Sequence, residues 1–137
     1  MTTTSYEIEL KTKGDGDTLD VTAHVESAVR ASGIADGAAV VFVPGSTAAI
    51  TTVEYEPGMV ADLRAAFERL VPMDARYAHN HGGDGNGYAH VRAAIVGPSV
   101  TVPVAGGKLT LGTWQQIVLV DFDDRPRRRS ILVHVIG

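Results

Sequence analysis

The chain reads as an α+β fold, mainly antiparallel β with two helices, and three observations predict it. Apolar residues fall mostly in short alternating or β-branched runs, from Tyr6–Lys11 at one end to Ser130–Ile136 at the other. Only two stretches carry a helical stripe, both in the first half, so strands do not alternate with helices as a doubly wound sheet requires. The length of 137 residues suits one core and one domain, taken here as residues 1–137, and excludes a TIM barrel.

Tyr6, Ile8 and Leu10 alternate with Glu7, Glu9 and Lys11, the period of a strand with one wet face. Gly14-Asp15-Gly16-Asp17 turns the chain, and Asp20 or Thr22 caps a short helix carrying Val21, Val25, Ala28 and Val29 on one face. Gly33 ends that helix. Ala38–Val43 is a continuous apolar run suited to a strand buried on both faces, and Ala48–Tyr55 resumes as a strand rich in Thr and Val. Pro57-Gly58 opens a second helix whose Val60, Leu63, Phe67 and Leu70 share one stripe, and Pro72 closes it. Residues 73–87 show no period, and a loop of that length is often functional. Beyond it the pattern predicts strands at His90–Val96, Val100–Val104, Trp114–Phe122 and Ser130–Ile136, with turns at Gly106-Gly107 and Asp123-Asp124-Arg125-Pro126.

Composition narrows the function classes. The formal net charge is −4, which argues against nucleic-acid binding through a basic surface. There is no cysteine, so disulfides and thiolate metal sites are excluded, in keeping with a reducing compartment. The first residues run directly into a strand pattern without a signal-peptide profile, and no apolar segment approaches the ~20 residues that span a bilayer. The expectation is a cytoplasmic protein with no membrane and no nucleic-acid partner.

The polar residues of the loop are the strongest functional signal. His79-Asn80-His81 and His90 place three of the five histidines within twelve residues, interleaved with glycines, Asp84 and Asn86. Histidine titrates near neutrality and is the commonest metal ligand. Joining His79 to His90 needs only a turn through the glycines, and two imidazoles with a carboxylate or water would suit a zinc-like ion. The bland reading is a hydrogen-bonding or structural pair, and no third firm ligand is visible. Asp84-Gly85-Asn86-Gly87 resembles half a calcium loop without its terminal Glu, so a tight turn is the better reading. Asn86 would still offer a polar atom to a ligand held by the histidines.

Two further groups suit an anion. Pro44-Gly45-Ser46-Thr47 reads first as a plain strand-to-strand turn and second as a hydroxyl-bearing turn of the kind that receives phosphate, although no Walker lysine follows. Strand periodicity puts Ser46, Ile50 and Glu54 on one face and Thr47, Thr51 and Val53 on the other, so a site using both lies at a sheet edge or between subunits. Arg127-Arg128-Arg129 reads first as a solvated hairpin end and second as a set of anion forks. Arg92 would share a face with His90 if that segment were a regular strand. His24 and His134 have ordinary structural readings, on a helix and in a terminal strand.

Taken in order, Pro44-Gly45-Ser46-Thr47-Ala48-Ala49-Ile50-Thr51 with Glu54, His79-Asn80, Asn86, His90, Gly97-Pro98-Ser99 and Gly112-Thr113-Trp114-Gln115 resemble the YjbQ family, and the match covers nearly the whole chain. The resemblance implies a YjbQ-like α+β domain with an antiparallel β-sandwich-like core, assembling as a homotrimer. It also implies secondary thiamine-phosphate synthase activity, a transferase reaction on a small phosphorylated metabolite. Under it, His90, His79 and Glu54 are the catalytic candidates, and Ser46, Thr47, Thr51, Asn86, Arg92, Thr113 and Gln115 the substrate-binding ones. His79 and His90 are the candidate ligands of a divalent metal, zinc or magnesium. The chain departs from the family pattern at Gly45, where many relatives place histidine, and at Asn80, where many have aspartate. The alternative is a non-catalytic trimeric module binding a metal or small anion.

Overall fold

Alternation of apolar residues sorts the strands into two antiparallel sheets. The structure is a computed structural model that describes residues 1–81 and 85–137. Strands β1 (Thr3–Thr12), β3 (Gly37–Phe42), β5 (Ser99–Ala105), β6 (Lys108–Leu109) and β8 (Arg127–Ile136) form the first sheet in the order β1-β8-β3-β5-β6. Strands β2 (Asp17–Asp20), β4 (Ala48–Val53) and β7 (Gln116–Asp121) form the second, in the order β2-β7-β4. Register follows the hydrophobic pattern. Tyr6 and Ile8 pair with Val133 and Ile131, and Val41 pairs with Val133 on the other side of β8. A slip of one residue would turn every one of these side chains to the opposite face.

The space between the sheets holds the main core. Helix α1 (Thr22–Ser32) contributes Val25, Ala28 and Val29, the first sheet Val41, Ile131 and Val133, and the second sheet Ile50, Ile117 and Leu119. Each fully buried aliphatic side chain stabilises the fold by roughly 1.5–3 kcal/mol relative to exposure. Asp20 accepts the Thr22 N–H at 3.0 Å, and left-handed Gly33 closes the helix, as expected.

A second core lies on the outer face of the second sheet. Ala49, Val118, Val120 and Phe122 meet Tyr88, Ala89 and Ala93 of a third helix, α3 (Gly87–Val96), and Phe67 of α2 (Pro57–Leu70). Glu56 caps α2 by accepting the Gly58 and Met59 N–H groups, with Pro57 at its first turn. Phe67 stacks edge-on against Phe122 at 4.8 Å.

Helix α3 corrects the strand expected at His90–Val96. Its short run of Ala, Val and Ile satisfies both periods, and what decides is the sheet it lands on. Tyr88, Ala89, Arg92 and Ala93 are buried, whereas Val91, Ala94 and Ile95 are exposed, a helical division. The two-helix expectation therefore becomes three. Two other boundaries move: β2 was read as turn and cap, and β8 begins at Arg127, so the arginines are strand residues. Strand β3 is buried on one face only. Ala39 and Val41 face the core, while Ala38 and Val40 are half-buried and Phe42 is exposed. In register with them on the same outer face lie Leu132 and Ile136 of β8.

Candidate functional site

The loop before α3 and the first turn of that helix bring two histidines together. The His79 and His90 ring centroids lie 4.4 Å apart at an interplanar angle of 49°. His81 is farther off, at 6.5 Å from His79. His90 is half-buried and His79 and His81 are exposed. The geometry has a local cause. Asn80 Oδ1 accepts the Gly87 N–H at 2.8 Å, tying the histidine loop to the start of α3. Gly87 permits this approach, because a Cβ there would stand 2.7 Å from both Asn80 Oδ1 and the Tyr77 Cβ. Tyr77 in turn donates its hydroxyl to the Pro72 carbonyl and anchors the loop to the end of α2.

Asn86 sits one turn before His90, and its carbonyl accepts the His90 N–H. Its side-chain oxygen is buried without a hydrogen-bond partner among the described residues. A buried acceptor left unmatched costs about 1–3 kcal/mol. Gly82, Gly83 and Asp84 lie outside the described residues, and with Asp84 the first position of the turn likened to half a calcium loop.

The other sequence candidates go elsewhere. Arg92 follows from the helix correction: two residues after His90 it points inward rather than beside it. It is buried, with Nε on the Val71 carbonyl at 3.0 Å, Nη2 on Glu68 at 2.8 Å, and its guanidinium 4.9 Å from the Tyr88 ring centroid. These contacts pin α3 to the end of α2 and use the arginine internally. Ser46 is exposed, but Thr47 is buried, donating to Asp123 at 3.3 Å and accepting from Arg129 Nη2 at 2.7 Å.

That threonine belongs to a network the sequence did not reveal. Arg129 grips Asp121 through Nε at 2.7 Å and Nη2 at 2.8 Å, Thr12 also donates to Asp121, and Arg127 Nε reaches Asp123 at 2.6 Å. Burial alone would raise the Asp121 carboxyl, but hydrogen bonds from Arg129, Thr12 and the Asp123 N–H bring it below its ordinary value. Burial acts the same way on Asp123, where the Asp124 N–H and Arg127 prevail and hold it down at about 2. Asp121 in turn raises Arg129. The arginine run is therefore mainly structural at two of its three positions, which replaces the solvated-end reading.

Thr51 lies in β4 and Glu54 just past it, while Thr113 and Gln115 lie on the segment that leads into β7. Thr51 faces the α2–α3 side with Ile95, while Glu54 is exposed just past β4, and its carboxylate has no partner among the described residues. Gln115 is held between the Gly112 N–H and the Thr52 hydroxyl, at 3.0 and 3.1 Å. Thr113 and Gln115 line a cavity of about 440 Å³ beneath α1 that none of the histidines lines. Within one chain the candidates thus form three groups: the histidines with Asn86, the Thr47–Asp–Arg network, and the residues of β4 and of the approach to β7.

Among the described residues a metal shell is only half supplied. Among the described residues no group of three His, Cys, Asp or Glu side chains is placed to hold an ion. Zinc sites use three or four protein ligands, and magnesium prefers oxygen donors in octahedral array. Among the described residues two imidazoles have only an amide oxygen beside them, a donor outside the usual Cys, His and carboxylate set for zinc and too few oxygens for magnesium, so the residues present fit neither ion.

Comparison with known proteins agrees with the fold. A family model described as UPF0047 protein YjbQ-like matches residues 6–137. The UPF0047 protein Rv2556c of Mycobacterium tuberculosis is 48% identical over 132 residues, covering 90% of this chain and 99% of that protein. A UPF0047 protein of Methanothermobacter thermautotrophicus is 40% identical, covering 97% and 92%. Among solved structures, a YbjQ-like protein of unknown function from Sulfolobus solfataricus superposes with a TM-score of 0.89 at 33% identity, covering 99% of each chain. A yjbq/upf0047 family protein from Clostridium acetobutylicum gives 0.89 at 39% identity, covering 96% of this chain and 99% of that one. With the model match running from β1 to the last residue, the chain belongs to the YjbQ-like UPF0047 family.

Proposed function

We propose that the His79–His90 pair with Asn86 is the chemical centre of the protein, a proton-donating site for a small phosphorylated substrate. The observation that carries this reading is the 4.4 Å approach, at a tilt of 49°, of an exposed and a half-buried imidazole, the latter one helical turn after a residue whose buried acceptor is unmatched among the described residues. A charged imidazole donates to phosphate or pyrophosphate oxygens, and an uncharged one takes a proton. Asn86 Oδ1 accepts from an N–H on the substrate's ring or amino group.

Secondary thiamine-phosphate synthase activity is the specific reaction this chemistry supports. In it the thiazole nitrogen forms a C–N bond to the pyrimidine methylene carbon, and the C–O bond to diphosphate breaks. Pyrophosphate leaves with the electron pair, so charge grows on the oxygen that an imidazolium would stabilise. The amino group of the pyrimidine matches the Asn86 acceptor. Glu54 and Thr51 join this centre as catalytic and binding residues from a neighbouring subunit of a homotrimer. Support for such an assembly comes from the half-exposed apolar face of the first sheet, at Val40, Phe42 and Leu132, and from the separation of the candidate groups within one chain. A cytoplasmic setting accords with the absence of cysteine.

The second reading, a module that holds a small anion without turnover, is favoured by one fact. Arg92 and Thr47, the expected phosphate contacts, are occupied internally. The experiment that separates the readings is thiamine phosphate formation from the two purified precursors with magnesium, comparing wild type with His79→Ala and His90→Ala. A slow rate lost in both variants supports the enzyme. Equal rates in all three proteins would place the chemistry elsewhere, and no rate in any of them would favour the module.

A further inference from the structure

A second polar cavity, separate from the histidines, opens between α1 and the turn around β6. Its volume is about 440 Å³, and its floor is apolar, made by Val29, Leu109 and Leu111. That size falls within the ~300–1,000 Å³ usual for small-molecule sites. Three charged side chains stand around it: Glu26 and Arg30 from one stripe of α1, and Lys108 from β6.

Their pairing is unusual for such neighbours. Glu26 and Arg30 are four residues apart on a helix, the spacing at which opposite charges normally join. Among the described residues they form no ion pair, and Arg30 Nη2 instead bonds the Ser27 hydroxyl at 3.1 Å. Lys108 likewise has no acidic partner there. Gln116 spends its side-chain oxygen on the Tyr55 N–H at 2.9 Å, which leaves its amide N–H groups for another acceptor at the same wall. The cavity therefore offers one carboxylate, two cations and an amide donor around an aliphatic floor.

We propose that this cavity binds a small zwitterion with an apolar body, its ammonium on Glu26 and its carboxylate or phosphate between Arg30 and Lys108. A simple anion would leave Glu26 facing like charge, and a simple cation would leave Arg30 and Lys108 unmatched. The zwitterion satisfies all three groups, and the aliphatic floor selects a branched or aromatic body. The proposal is independent of the histidine site, none of whose residues lines this cavity.

The test is calorimetric titration of the full chain with three probes of one shape: L-leucine, 4-methylpentanoate, which lacks the ammonium, and isoamylamine, which lacks the carboxylate. L-leucine should bind saturably, and each single-charge probe about tenfold more weakly or less. Glu26→Gln should bring leucine to the level of 4-methylpentanoate, and Arg30→Gln with Lys108→Gln should bring it to that of isoamylamine. All three positions are exposed, so the variants keep the fold. The aminophosphonic acid analogue of L-leucine, compared with L-leucine itself, distinguishes a phosphate-like end from a carboxylate end. Leucine affinity should be unchanged in His90→Ala, which separates this site from the histidine reading. Absence of saturable binding of both leucine and its aminophosphonic analogue, equal binding of leucine and 4-methylpentanoate, or binding indifferent to both charge variants would overturn the proposal.

Discussion

Tyr88 carries a hydroxyl that is buried without a hydrogen-bond partner among the described residues, on a side chain only 1% exposed. Burial pushes its ionisation up, Asp15 and Asp124 add to the effect, and Arg92 opposes it, so the phenol remains neutral at physiological pH. Tyr88→Phe should then leave stability unchanged or raise it by up to about 1 kcal/mol, because the unmatched hydroxyl is removed with little change of shape. Urea denaturation reads this directly, and a loss beyond about 1 kcal/mol would mean that the hydroxyl has a partner. Asn80 is the other informative residue, since its oxygen holds the start of α3. Asn80→Asp keeps that acceptor and adds charge at a helix N-terminus, which should stabilise by about 0.3–1 kcal/mol, while Asn80→Ala should loosen the histidine pair. Thermal denaturation of the two variants should therefore shift in opposite directions. At this scale the sequence was partly legible. His79 and His90 are close along the chain, so a turn through glycines sufficed to predict their meeting. Thr47 and Arg129 are 82 residues apart, and nothing local in either segment announces their bond.

Helix α3 is where local pattern and tertiary context disagree. A run such as Ala-His-Val-Arg-Ala-Ala-Ile-Val fits a strand by its β-branched residues and a helix by its alanines, and only the apolar face of the second sheet selects the helix. The longer stripes of α1 and α2, and the strict alternation of β1, left no such choice and were readable. Strand β8 tells a related story, because its arginines look like a hairpin end until Asp121 and Asp123 are seen beneath them. Arg129→Met should cost about 3–5 kcal/mol, since it leaves a buried carboxylate uncompensated. The same network sets acid stability. Asp123 is held at about 2 against an ordinary value near 4, and Asp121 is also lowered. A depressed carboxyl contributes stability that is complete above its unfolded value and lost as pH falls through its folded one. Unfolding midpoints should therefore be flat above about pH 5 and fall between about pH 4 and 2, and Asp123→Asn should flatten that fall. A midpoint curve that is the same in Asp123→Asn would separate acid stability from this network.

For the whole molecule, the family and the α+β sandwich were legible from motif order and strand pattern together, while the dispersal of the site was not. Periodicity said that residues of both β4 faces meet only at an edge or between chains, and the structure distributes the candidates over three groups in one chain. Assembly follows from this as the account's largest-scale prediction. Light scattering should give the mass of three chains, and Phe42→Glu, on the half-exposed apolar face of the first sheet, should lower it. A monomer mass for the wild type at micromolar concentration would contradict the assembly. The central claim, that His79 and His90 serve one ligand, is tested most directly by following both imidazoles by NMR while pyrophosphate is added. The two rings should shift together with one saturation curve, and His79→Ala should weaken the response of His90. Independent curves, or rings that do not respond at all, would contradict it.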